Sequence, residues 1–162
     1  MCRNCVPWLY KLERSFTWDS RHPISEDLVF RDKTGKVRLI IEASGRLTVT
    51  RGYAWNGCSP KFCVFDLLFG TPEGVVHVRT GRPKTYYASL VHDALYQFLP
   101  DGVPLTRRHV DAFFFNLLAE SDFAPRWVYW TFVRLFGGLV RRGTRLKRKT
   151  EGTRQRVVEL LP

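Results

Sequence analysis

The chain lacks any apolar run approaching the roughly 20 residues that a membrane-spanning helix needs. Its longest hydrophobic stretches are interrupted early by Arg, Asp or Gly. It also lacks the pattern of a secretory signal. Met-Cys-Arg-Asn-Cys-Val-Pro-Trp at the start offers no basic opening, no apolar core and no small-residue cleavage site. Cysteine is sparse, with four in 162 residues. Without a secretory signal these do not read as a disulfide framework. Carboxylates are few as well, 15 against 26 Lys and Arg, leaving a formal charge of +11. These absences exclude a spanning helix and predict a protein made and kept in the cytosol. The 44% hydrophobic and 14% aromatic content excludes a disordered chain. The length suits one domain with a real core.

The positive charge is unevenly placed. Arg141, Arg142, Arg145, Lys147, Arg148, Lys149, Arg154 and Arg156 face only Glu151 and Glu159, so the last segment holds six of the eleven net charges. Residues 1–140 are therefore expected to form one domain and residues 141–162 a basic C-terminal tail. Such a tail can bind nucleic acid or anionic lipid, or keep the chain soluble. Nucleic acid would enter only through the tail, since no nucleic-acid module is evident.

Cys2-x-x-Cys5 has metal-ligand spacing, and Cys58 with Cys63 completes a formal four-thiolate set. The second pair is spaced more loosely than in a zinc knuckle, and Cys2 sits where a terminus frays. Free thiols are the preferred reading over a structural zinc.

Apolar residues alternate with polar ones along 28–51. Lys33-Thr34-Gly35-Lys36 and Ser44-Gly45 serve as turns, which predicts a small antiparallel β-meander. From Gly52 to Pro83, turn signals dominate and predict a long irregular loop. Three helices are expected next. Lys84–Leu99 stops at Pro100-Asp101-Gly102, a second helix capped by Thr106 runs to about Glu120, and a third runs from Pro125 to Gly137-Gly138. The fold class is α+β: a meander, a long loop and a three-helix half.

On the first helix, Ala88, Val91, Leu95 and Leu99 fall on one inward face, and Ser89, His92, Asp93 and Tyr96 form a polar stripe beside it. A solvated stripe usually carries Lys, Glu and Arg, and none is present. Adjacent His92 and Asp93 diverge enough to hold two neighbouring objects, such as a water and a metal ion. On the second helix, Asp111 shares a stripe with Phe114, Phe115 and Leu118, so its carboxylate is partly buried and needs donors. The short Pro100–Leu105 connection makes the two helices antiparallel neighbours. Asp111 can then accept from His92 and the Tyr96 hydroxyl, orienting His92 as a general base. The alternative is a local pairing with Arg107 or Arg108. Upstream, Gly52-Tyr53-Ala54-Trp55-Asn56-Gly57 can turn backbone carbonyls toward one point. Asp93 with the Asn56 side chain and loop carbonyls, Tyr53 and Gly57 among them, forms a candidate oxygen site for calcium.

Four motifs occur in order: Gly52-Tyr53-x-x-Asn56-x-x-Ser59-Pro60, His92-Asp93-x-Leu95-Tyr96, Arg108-x-x-Asp111-x-x-Phe114, and Tyr129-x-x-x-x-Arg134-x-Phe136-Gly137. Together they resemble a family of small phage and prophage proteins of unknown function, across roughly residues 28–138. Asn56 stands where that family usually has Asp. The resemblance implies a phage or prophage origin and no particular activity. More distantly, His92-Asp93-x-x-Tyr96 followed by a helical Asp111 resembles the active-site helices of calcium-dependent secretory phospholipases. That resemblance implies His92 as base, Asp93 as calcium ligand, Asp111 and Tyr96 as support, and Gly52–Ser59 as the calcium loop. The chain departs from that family in its sparser glycines, its more distant loop and its missing flanking cysteines.

Two expectations follow. One is a calcium-assisted hydrolase of a lipid or other ester, with Trp127, Trp130, Phe132, Phe136 and Arg134 at a membrane surface unless those aromatics pack in the core. The other is a non-enzymatic phage accessory protein, a virion component or an inhibitor of a host system, in which the cluster is structural. Host cytoplasm is the expected location, at a membrane surface or in the virion under these readings.

Overall fold

A computed structural model describes residues 10–58, 61–64, 67–70, 75–135 and 158–159, with backbone alone at 61–64, 67–70 and 158–159. Apolar alternation builds the main sheet. Strands β3 (Leu28–Arg31), β4 (Val37–Ile41) and β5 (Arg46–Val49) form the expected antiparallel meander. Strand β2 (Phe16–Asp19) joins its β5 edge, and the pair Val158–Glu159, β11, joins its β3 edge. Register places Trp18, Leu47, Ile41 and Leu28 in one cross-strand row, and Phe16, Val49, Leu39 and Phe30 in the next. Both rows lie on one face because side chains alternate along a strand. That face is the core, where Leu39, Ile41, Leu47 and Val49 are buried. On the opposite face the Thr17 and Thr48 hydroxyls meet at 3.0 Å.

The two meander turns are fixed by short-range chemistry. Asp32 accepts from the Thr34 hydroxyl at 2.6 Å, pairs with Arg38 Nε at 2.7 Å and accepts from the Thr34 and Lys36 backbone N–H groups. Burial pushes this carboxyl up, yet those donors prevail and hold it down at about 2. At the second turn Gly45 adopts φ +89, and a Cβ there would lie 2.6 Å from the His22 carbonyl oxygen.

The stretch from Gly52 to Pro83 is not uniformly irregular as expected. It carries β6 (Ala54–Trp55), paired with β1 (Tyr10–Lys11), the hairpin β7 (Lys61–Val64) with β8 (Leu67–Gly70), and the pair β9 (Val76–His77) with β10 (Arg82–Pro83). Each is only two to four residues long, so neither alternation nor length marks it in sequence.

Helix α1 (Tyr86–Phe98) passes into a 3-10 turn at Leu99–Asp101. Helix α2 (Arg107–Glu120) begins at the expected Thr106 cap, whose hydroxyl accepts from the His109 N–H at 3.2 Å. Helix α3 is described over 126–135; its expected stop at Gly137-Gly138 lies outside the described residues. The most consequential departure concerns α1. It was expected to bury one face, but Tyr86, Ala88, Ser89, Leu90, Val91, His92, Ala94, Leu95 and Phe98 are all buried, leaving no exposed face. A helix with no fully exposed residue has little room for the solvated heads of Lys, Glu and Arg. That is why the polar stripe contains none. Phe98 reaches the sheet at Phe30, ring centroids 5.5 Å apart, and Trp18 Nε1 donates to Glu120 at 3.0 Å, tying β2 to the end of α2.

Most of the basic tail lies outside the described residues; within it only Val158–Glu159 are placed, as β11.

Candidate functional site

The antiparallel packing of α1 and α2 brings His92, Tyr96 and Asp111 together. Asp111 is fully buried at 0% exposure. His92 Nε2 lies 3.2 Å from Asp111 Oδ1, and the Tyr96 hydroxyl donates to the same oxygen at 2.8 Å. The other carboxylate oxygen, Oδ2, receives Arg134 Nη1 from α3 at 3.1 Å and lies 3.6 Å from Arg107 Nε. Arg107 also donates from Nε to the Tyr96 oxygen at 2.8 Å and from Nη2 to the carbonyls of Val133 and Arg134. The histidine pairing and the local arginine pairing, weighed as alternatives in sequence, therefore coexist. Arg108 is exposed.

Burial pushes the Asp111 carboxyl up, but hydrogen bonds from His92 and Tyr96, followed by the His92 and Arg134 contributions, bring it below its ordinary value. Burial likewise pushes the His92 imidazole down. The Asp111 hydrogen bond and then Asp93 more than offset this and hold it above its ordinary value. The Tyr96 hydroxyl is pushed up by burial and by the negative charge of Asp111. The His92 ring is framed by Tyr96 and Phe114, with centroids 4.3 and 5.1 Å away.

His92 Nδ1 faces Asp93 Oδ1 at 3.8 Å. The two side chains diverge less than expected, and the separation is an electrostatic contact rather than a hydrogen bond. Asp93 retains 21% side-chain exposure, so this is the wet edge of the site.

The Gly52–Gly57 loop does run beside Asp93. Trp55 Nε1 donates to Ser89 Oγ at 3.1 Å, and the Tyr53 hydroxyl donates to Gln97 Oε1 at 3.0 Å. Ser89 and Gln97 lie one turn to either side of Asp93 on the same face of α1. The Tyr53 hydroxyl is pushed well up by burial and then by the Asp93 charge. Tyr53 is otherwise committed: its carbonyl accepts the Leu12 N–H at 2.8 Å. As donor types, the Asp93 carboxylate, the Asn56 amide and loop carbonyls such as that of Gly57 are those a hard, oxygen-preferring cation takes. Among the described residues no three His, Cys, Asp or Glu side chains converge as a metal cluster. A cation here would rest on one carboxylate and neutral oxygens. Cys58 is buried in the core; Cys2 and Cys5 lie outside the described residues, and the Cys63 side chain is not described.

Sequence reasoning missed Arg134 as a partner of Asp111, placing it at a surface instead. Its spacing from the helix start was legible, but which neighbour α3 would face was not. No family model, curated protein or solved structure matches the chain.

Proposed function

We propose that this chain is a phage-type hydrolase with a phospholipase-like site, cleaving a carboxylic ester with His92 as general base. The observation that carries the reading is the division of the imidazole's two nitrogens. Nε2 is held at 3.2 Å by a fully buried carboxylate, while Nδ1 faces the partly exposed Asp93. With the Nε2 proton fixed by Asp111, Nδ1 carries the lone pair and takes a proton from water. The hydroxide so formed adds to the ester carbonyl. Collapse of the tetrahedral adduct breaks the C–O bond, and the leaving alkoxide recovers the proton from Nδ1. Tyr96 and Arg107 hold Asp111, and therefore His92, in place. Calcium held by Asp93 and Asn56 would supply charge stabilisation of the oxyanion.

The test is release of fatty acid or alcohol by the purified chain from phospholipid vesicles and soluble esters, with calcium or with chelator. His92→Gln is expected to reduce the rate at least about a hundredfold while the chain stays folded at the assay temperature. No hydrolysis of any substrate by the folded parent would end this reading.

A second reading is favoured by the completeness of the network. Asp111 meets His92, Tyr96, Arg107 and Arg134, which together join all three helices. A non-enzymatic phage accessory protein would use this cluster purely as a helix clamp. It predicts that His92→Gln lowers stability and removes no activity.

A further inference from the structure

Helix α3 is sided in an unusual way. Tyr129 and Val133 are buried against the core, while Arg134 reaches Asp111. Trp127, Val128, Phe132 and Leu135 point away and are 43–67% exposed, although each is large and apolar. With Thr131 they line an open concavity of about 330 Å³. At 100° per residue these positions occupy a continuous arc of roughly 140° on the side away from the buried pair. Phe115 of α2 extends the patch, its ring 4.4 Å from that of Trp127. Isolated exposed apolar residues need no explanation, but a contiguous aromatic and aliphatic arc marks a contact surface.

The charge of the sequence that carries and follows this arc selects the occupant. From Ala124 to Thr150 the sequence holds eight Arg or Lys and no carboxylate. Of these, Arg126 stands on α3 at the margin between its buried and exposed faces, while Arg134 on the same helix is held by Asp111. A protein groove lined this way would demand an acidic apolar partner. An anionic bilayer supplies both properties over any area: headgroup charge for the basic residues and an acyl boundary for Trp, Phe, Val and Leu. No helix among the described residues is long and apolar enough to cross a membrane, so the contact would be peripheral.

We propose that α3 seats the protein on anionic phospholipid surfaces, with Trp127, Val128, Phe132 and Leu135 entering the headgroup boundary. This deepens the hydrolase reading by naming the substrate's physical form, an ester within a bilayer. The seat is joined to the site, because Arg107 holds the carbonyls of Val133 and Arg134 while Arg134 holds Asp111. Binding is measured without turnover, so failure of hydrolysis leaves this proposal standing, and failure of binding leaves hydrolysis of soluble esters standing.

The experiment is co-sedimentation of the full chain with sucrose-loaded vesicles, either phosphatidylglycerol mixed with phosphatidylcholine or phosphatidylcholine alone. Parent protein is expected to bind the anionic vesicles and to lose most binding on the neutral ones. Trp127→Ala with Phe132→Ala is expected to weaken the anionic partition about tenfold or more, from the lost apolar area, with the thermal midpoint unchanged. Three results would overturn the proposal. One is absence of vesicle binding by the parent. Another is full retention of binding by the double variant, which would assign binding to the basic segment alone. The third is a dimer in sedimentation velocity that the double variant dissolves, with no vesicle binding, which would make the arc an interface between two copies.

Discussion

Asp111 is a single carboxylate on which Arg107, Arg134, His92 and Tyr96 all converge, at 0% exposure. Such a buried ion is stabilising only while its donors are in place, and removing it leaves two guanidinium groups and an imidazole facing one another. Asp111→Ala is expected to cost about 3–5 kcal/mol of unfolding free energy. Asp111→Asn should cost less, because the amide keeps one acceptor oxygen but turns an NH₂ toward the arginines. Urea denaturation of the two variants checks this. A loss below about 1 kcal/mol for Asp111→Ala would mean that the carboxylate is effectively solvated and that the cluster clamps nothing. Of the residues in this network, the sequence pointed to Asp111 through its apolar helix neighbours and to His92 and Tyr96 through their spacing. Arg134 escaped because its partner lies 23 residues away, beyond any local periodicity.

At the scale of elements, the turns of the meander separate two kinds of glycine. Gly45 and Gly35 both have positive φ, +89 and +79, but a Cβ at Gly45 meets the His22 backbone within 2.6 Å while one at Gly35 meets nothing within 4 Å. Gly35→Ala therefore pays only the left-handed backbone strain, about 1–2 kcal/mol. Gly45→Ala must in addition move the segment containing Ser20, whose N–H bonds the Gly45 carbonyl at 3.1 Å. A cost of more than about 3 kcal/mol is expected there. Chemical denaturation of both variants decides it, and equal losses would show that the chain near His22 yields freely. Both turns were legible from Lys-Thr-Gly-Lys and Ser-Gly. The meander and the α2 cap were legible too, because alternation and a Thr at the helix start are local signals. The paired strands between Gly52 and Pro83 were not, since pairs of two to four residues owe their form to partners elsewhere, as β6 does to β1. Nor was the absence of an exposed face on α1, which depends on the sheet and α2 both packing against it.

For the whole molecule, the buried titratable groups predict how stability follows pH. The imidazole of His92 is held above its ordinary 6.5 in the folded state. Above pH 6.5 the folded chain thus retains a proton that the unfolded chain has released, and stability declines as pH rises through the folded value. The slope from this one group is at most about 1.4 kcal/mol per pH unit. The hydroxyls of Tyr53 and Tyr96 are raised above 10.0, so a second decline begins near pH 10 as the unfolded chain ionises first. On the acid side, Asp111 and Asp32 are lowered from 3.8, Asp32 to about 2. Their contribution is present above pH 3.8 and is lost as pH falls through the folded values. Thermal unfolding in chelating buffer, which keeps cations from Asp93, should therefore show a maximum between about pH 4 and 6.5. His92→Gln should flatten the decline that begins above pH 6.5 and leave the decline near pH 10 in place. A parent midpoint that climbs above pH 6.5, or an identical limb in the variant, would mean that Asp111 and Asp93 do not raise the His92 imidazole above its ordinary value.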